Sequence, residues 1–133
     1  MATAGRKPTK PAERPDGHGI MFGEEVHRLR RERGLSLDGL AEATGVSRAT
    51  LSQTERDLYA PSGRTVDALV EVLAPPERRD RLATLAAETY RRLETDLDGL
   101  DRERIELLVR FRRRLQWLSP AALETIRTAV ESA

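Results

Sequence analysis

Four serines in this chain each stand one residue ahead of a short amphipathic stretch. Ser36 precedes "LDGLAEAT", Ser47 precedes "RATLSQTER", Ser62 precedes "GRTVDALVEVL" and Ser119 precedes "PAALETIRTAV". A serine so placed accepts a hydrogen bond from a first-turn N–H that the helix itself leaves unpaired. Leu35 with Leu40, Val46 with Leu51, and Leu118 with Leu123 add hydrophobic staples across three of these starts; Pro61 with Val66 makes a weaker fourth. Pro120 falls at a first helical position, where its missing N–H costs nothing. These signals make the chain a succession of short helices. No segment alternates as a strand does, aromatics are few, and Leu, Ala, Arg and Glu are many. An all-α fold is expected.

The remaining segments follow from periodicity. Residues 1–19 hold three prolines, three glycines and almost nothing apolar, and read as a disordered tail. A DNA minor-groove arm carried by "GRKPTK" is the sharper alternative for that tail. Ile20, Phe22, Val26 and Leu29 form one stripe that Gly34 stops, so residues 20–74 read as a four-helix module. Pro75 and Pro76 interrupt the chain. Leu82, Leu85, Ala86, Thr89, Leu93 and Leu97 then predict a long helix over about 77–97. Asp101 caps another helix, with Leu108, Phe111, Leu115 and Leu118 at alternating spacings of three and four. Leu123, Ile126 and Val130 give the last stripe. Residues 76–132 therefore read as three helices that must bury their stripes against something. "RFRRR", residues 110–114, reads as the wet side of a helix whose Leu108, Phe111 and Leu115 are buried; a patch for DNA backbone or an acidic partner is the other reading.

Composition excludes several functions. The 133 residues include no cysteine, which removes disulfides and thiolate metal sites. No apolar run approaches the ~20 residues that cross a bilayer. The first residues lack an apolar signal core, so a cytoplasmic protein is expected. His18 in the tail and His27 in an amphipathic helix are unrelated, so no metal site is expected. No nucleophile-plus-base pair or glycine-rich phosphate loop stands out. Neither a cofactor nor enzyme activity is expected. Residues 20–74 carry a net charge of −2, not the basic excess usual in nucleic-acid binders. Any DNA contact must therefore come from arginines gathered on one face.

Such a face exists in "LDGLAEATGVSRATLSQTER". Two short helices meet at Thr44–Gly45, where glycine allows the positive φ of a tight turn. Ala41 is small where the helices cross, and Leu40, Val46 and Leu51 point inward. The second helix is then left with Ser47, Arg48, Ala49, Ser52, Gln53 and Arg56 outward. That is a helix-turn-helix, whose second helix enters the major groove.

With these motifs in place, "LRRERGLS", "LAEATGVSRATLSQTER" and "PSGRTVDALVEVL" resemble the Cro/C1-type helix-turn-helix family, also called XRE. The resemblance covers residues 22–74. It implies a lambda-repressor-like domain of four or five helices that binds operator DNA, commonly as a dimer. Carried over, the base-reading positions are Arg48, Ala49, Ser52 and Gln53. Arginine pairs bidentately with guanine, glutamine with adenine, and alanine packs on a thymine methyl. Ser47, Thr50, Arg56, Arg28, Arg31 and Arg64 are phosphate candidates.

Three positions depart from the family pattern. Leu37 replaces a phosphate-clamping glutamine, Gly39 stands where a glutamate would complete a capping box, and Thr54 replaces a large aliphatic residue and needs a partner such as the carbonyl one turn back. Glu55 is expected to pair with a nearby arginine, and Tyr59 to pack. The whole reads as a repressor that binds a palindromic operator as a homodimer. Leu108, Phe111, Leu115, Trp117, Leu118 and Ile126 are the dimer-interface candidates. An antitoxin-like or adaptor protein whose C-terminal helices bind a protein partner is the alternative. A ligand-sensing C-terminal region is a weaker one.

Overall fold

The computed structural model describes residues 19–133. The expectations for the tail ahead of Gly19, including the minor-groove arm and His18, lie outside the described residues. The described chain is helical throughout, in the order α1 Phe22–Glu32, α2 Leu37–Thr44, α3 Arg48–Glu55, α4 Gly63–Leu73, α5 Arg79–Tyr90, α6 Arg102–Arg114 and α7 Pro120–Glu131. A 3-10 turn, Pro76–Arg78, leads into α5, and another, Leu115–Trp117, follows α6. The four serines cap as their positions require. Ser36, Ser47, Ser62 and Ser119 accept from the N–H groups of Gly39, Thr50, Thr65 and Ala122. Asp101 does the same for Arg104 at the start of α6.

The chain divides into one compact unit that runs to Thr95 and a second, Asp96–Ala133. The first has a continuous interior. Phe22 and Val26 of α1, Leu40 of α2, Leu51 of α3, Leu69, Val70 and Leu73 of α4, and Leu82, Ala86 and Tyr90 of α5 are all buried together. This corrects two readings of the sequence. The first module does not end at residue 74, because α5 belongs to its core and not to a C-terminal region starting at 76. The reason is the top of α1. Phe22 meets Tyr90 edge-on with ring centroids 5.9 Å apart, and the Phe22 N–H donates to Thr89 Oγ1 at 3.0 Å. Without α5 a large aromatic side chain and an orphan helix-terminal N–H would face water.

Nor does α5 run to about 97. It stops at Tyr90, with Arg91 in the left-handed region at φ 52°. Beyond it, Arg92 donates to the Pro61 carbonyl at 2.6 Å, and the Gly63 N–H donates to Glu94 Oε1 at 2.7 Å. These long-range bonds hold the chain out of the helical path that its periodicity continues. Leu93 and Leu97 are accordingly exposed.

The second unit, α6 and α7, has no buried residue. Ile105, Leu108, Phe111, Leu118 and Ile126 are half-buried, whereas Leu107, Val109, Leu115, Leu123 and Val130 are exposed and Trp117 is 73% exposed. The expectation that Leu108, Phe111 and Leu115 are buried beneath "RFRRR" is therefore not met among the described residues. Two short helices alone offer too little facing surface to close over both of their apolar stripes.

Candidate nucleic-acid interface

The α2–α3 pair is built from local signals. Gly45 takes φ 74°, and its N–H closes the end of α2 by donating to the Ala41 carbonyl at 2.9 Å. A β-carbon there would be strained in this left-handed conformation. Thr44 Oγ1 donates to the Leu40 carbonyl and accepts from the Val46 N–H, which tightens the turn. Leu40 and Leu51 are fully buried, one from each helix. Ser47 Oγ caps α3 by accepting from Thr50 N at 3.1 Å, and it donates to Thr50 Oγ1 at 2.8 Å.

The inner side of α3 is held by a polar network as well as by packing. Arg30 of α1 donates from Nε to Glu55 Oε2 at 2.6 Å and from a terminal nitrogen to Glu55 Oε1 at 3.0 Å. Only 10% of the Arg30 side chain and 7% of the Glu55 side chain are exposed. Arg30 also donates to the Leu35 carbonyl, and His27 Nδ1 lies 2.8 Å from Glu55 Oε1. Burial alone would raise the Glu55 carboxyl. The hydrogen bonds and charges of Arg30 and His27 outweigh it and hold the group below its ordinary range. Thr54 is buried and donates to the Thr50 carbonyl at 2.9 Å, the partner that its sequence position required.

A second knot lies just past α3. Asp57, itself at φ 52°, accepts from the Gly23 N–H at 3.1 Å and from the Tyr90 hydroxyl at 2.8 Å. Burial, and then the charge and hydrogen bond of Asp57, push the Tyr90 phenol well above its usual value. Gly23 packs against the Thr54 carbonyl and the Asp57 carboxylate, where a β-carbon would collide. α1 can therefore approach the end of α3 only through a glycine.

Fixed in this way, α3 turns Arg48, Ala49, Gln53 and Arg56 outward, with Ser52 half-buried beside them. The Arg48 side chain is 65% exposed, and its nearest carboxylate is Asp38 at 3.4 Å, also exposed. Exposed pairs of this kind contribute little and exchange readily for another acceptor. Gln53 is exposed on the same face. Arg56 Nε reaches the Ser52 carbonyl at 3.4 Å, a long contact. The structure thus brings the four base-contact candidates onto one helix face, with Ser47 and Thr50 at its N-terminal end.

The other phosphate candidates are scattered. Arg64 is exposed in the first turn of α4, and Arg31 is exposed on α1. Arg28 is not brought to α3. It bridges Glu25 at 2.8 Å and Glu32 at 2.6 Å along α1, and lines an open groove with Arg78, Arg81, Leu85 and Glu88 on the α5 side. Tyr59, expected to pack, is exposed.

Glu55 pairs with an arginine as expected, but the arginine is Arg30, a positioning residue for α3 that the sequence did not single out. Arg30 continues the row from Phe22 and Val26 at spacings of four, so a charged side chain occupies a core register. That signal, together with an acidic residue near the end of α3, would have suggested the pair.

Among the described residues no group of His, Asp or Glu could hold a metal ion, and no helix is long and apolar enough to cross a membrane.

A capped, glycine-hinged helix pair with an arginine–glutamine face outward defines a helix-turn-helix protein. Comparison with known proteins agrees. A family described as a helix-turn-helix domain matches residues 21–82, so it too extends past 74 into α5. The HTH-type transcriptional regulator SinR of Bacillus subtilis (strain 168) is 35% identical over 91 residues, spanning 68% of this chain and 75% of that protein. The HTH-type transcriptional regulator SutR of Escherichia coli (strain K12) is 54% identical over 41 residues, 31% of this chain. That match spans only 23% of the length of SutR. A solved SinR protein/SinI protein complex aligns over 74% of this chain and all of the matched one, at 24% identity and a TM-score of 0.43. The chain belongs to the Cro/C1-type, or XRE, family of helix-turn-helix proteins. It is a DNA-binding transcription regulator, and the family is not an enzyme class.

Proposed function

We propose that the protein is a repressor that binds a palindromic operator as a homodimer and acts by occluding a promoter. The observation that carries this reading is the outer face of α3. Arg48, Ala49, Ser52 and Gln53 share it, and the inner side of the same helix is anchored by Leu51, Thr54 and the Arg30–Glu55 pair. A recognition helix must be rigid relative to its domain and free on one side, because each bidentate base contact discriminates by ~1–3 kcal/mol only if the side chain is held in register. Ser47, Thr50, Arg56, Arg31 and Arg64 supply backbone contacts around that face in this reading. Arg28, committed to Glu25 and Glu32, is the least suited of the phosphate candidates.

The dimer reading rests on the second unit, whose apolar residues find no interior of their own. Leu108, Phe111, Leu115, Trp117, Leu118 and Ile126 form the surface that a second copy covers. Two recognition helices then lie about one DNA turn, ~34 Å, apart on a twofold operator. The same exposure favours, as a second reading, an adaptor or antitoxin-like role in which a different protein covers the hairpin.

The test is a footprint of the full-length chain across its own upstream region. A protected palindrome, with affinity falling steeply as salt rises, supports the operator reading. Uniform, sequence-independent protection, or none, overturns it. Sedimentation of the chain alone separates a homodimer from an adaptor that stays monomeric until its partner is added.

A further inference from the structure

Exposed arginines on the helices of this chain are repeatedly set beside a carboxylate three or four residues away. Arg28 pairs with Glu25 and Glu32, Arg102 with Glu106, Arg104 with Asp101 and Arg127 with Glu124, all at 2.6–2.9 Å. Three arginines near the end of α6 depart from this habit. Arg110, Arg113 and Arg114 are exposed, and among the described residues none of them has a carboxylate partner. The chain holds no carboxylate between Glu106 and Glu124.

The three stand at i, i+3 and i+4, so they share one side of α6. At 3.6 residues per turn that side lies more than a right angle round the helix from the seam of Leu108, Phe111 and Leu115. A second copy seated on the seam therefore has no need to cover them. Arg112 falls on the other flank of the seam and does not belong to the group. Glu106 and Glu103 share the arginine side but lie one and two turns nearer the start of the helix, and Glu106 is taken by Arg102. The helix macrodipole favours cations in a last turn. That accounts for Arg113 and Arg114 but not for Arg110, one turn earlier.

The first unit is short of what these arginines offer. Residues 20–95 carry 12 basic and 13 acidic side chains, net −1, in a protein that binds a polyanion. Arg28 and Arg30 are already committed to Glu25, Glu32 and Glu55. Affinity for duplex DNA comes largely from Lys and Arg that neutralise phosphates. Arginine suits that task, because its guanidinium keeps its charge and meets two phosphate oxygens at once. The phosphate backbone also continues past any base pairs that are read and presents the same charge at every step, so a contact to it needs no particular sequence.

We propose that Arg110, Arg113 and Arg114 form a second DNA contact, to backbone phosphates outside the stretch covered by the helix-turn-helix. The inference rests on DNA binding by this family and depends neither on the dimer nor on the palindrome.

The test uses the full-length chain carrying Arg110→Gln, Arg113→Gln and Arg114→Gln together. It is titrated over a range of salt onto a mixed-sequence duplex long enough to reach past both ends of the bound protein. Each phosphate contact removed flattens the plot of log affinity against log salt by about 0.9, so the slope is expected to fall by about 2–3 per bound chain. Binding at low salt weakens about tenfold or more, and the difference closes as salt rises. A fragment of the chain's own upstream region shows the same loss, because the three side chains read no base. Lysine at the same three positions restores the slope, since the charge is what the phosphates need. A slope and affinity equal to the parent's overturn the proposal and leave this face to an acidic protein. A DNA defect that comes with lost self-association in sedimentation assigns the arginines to assembly and overturns it as well. Because the duplex is of mixed sequence, failure to find an operator leaves the result standing.

Discussion

The two units of this protein carry the same helix-start grammar and reach opposite ends. In the unit that runs to Thr95, five helices close over Phe22, Val26, Leu40, Leu51, Leu69 and Leu73, and charged groups that enter the interior find partners there. In Asp96–Ala133, α6 and α7 are capped just as well by Asp101 and Ser119, yet no residue is buried. Capping decides where a helix begins; it does not decide whether the helix has anything to pack on. The first unit is completed by its own chain. The second, as described, leaves its apolar stripes partly exposed, which is the observation behind the dimer proposed above.

The comparison is broken most severely by disturbing the buried pair. Arg30→Ala leaves Glu55 without its main counter-ion inside the first unit and is expected to cost about 3–5 kcal/mol of stability, read by denaturant titration. The same pair sets an acid limit. Because the Glu55 carboxyl is held below its ordinary range when folded, its contribution is complete above the usual carboxylate value. That contribution is lost as pH falls through the depressed one. Glu55→Gln should therefore be less stable than the parent at neutral pH and lose less on acidification, a difference visible in melting temperature followed from about pH 6 to pH 3. Equal pH slopes would mean that the pair is not linked to folding.

Leu51→Ala, at a position with no exposure, should cost about 2–5 kcal/mol and loosen α3 as well as the core. Arg48→Ala is expected to leave the fold alone and, in the operator reading proposed above, to act at the DNA surface. A loss of ~1–3 kcal/mol at one base pair of each half-site is expected, measured by competition among operator variants. A variant that discriminates as the parent does would exclude Arg48 as a reader. Ser47→Ala removes the cap of α3 and should cost ~1 kcal/mol, while Ser119→Ala is expected to weaken α7 without altering the melting of the first unit. The smallest effect sharpens the contrast. Trp117→Ala, at a position 73% exposed, should change the stability of the first unit by less than about 0.5 kcal/mol while weakening self-association.

Several features could be read directly from the residues. The caps at Ser36, Ser47, Ser62, Asp101 and Ser119, the hinge at Gly45 and the outward row Arg48, Ala49, Gln53 are all encoded within a few positions of one another. A hydrogen bond to the third residue on, or a left-handed glycine, depends on little else. The carbonyl partner of Thr54 was legible for the same reason, lying one turn back in its own helix.

Tertiary structure alone decided the rest. Phe22 meets Thr89 across 67 residues, Asp57 meets Tyr90 across 33, and Arg30 meets Glu55 across 25. Those contacts place α5 in the first unit and lock α3 against α1, and the bonds of Arg92 to Pro61 and of Gly63 to Glu94 end α5 at Tyr90. A local pattern states which face of a helix is apolar, but not which of several apolar faces will cover it. That choice is settled only when every buried side chain and orphan N–H is satisfied at once.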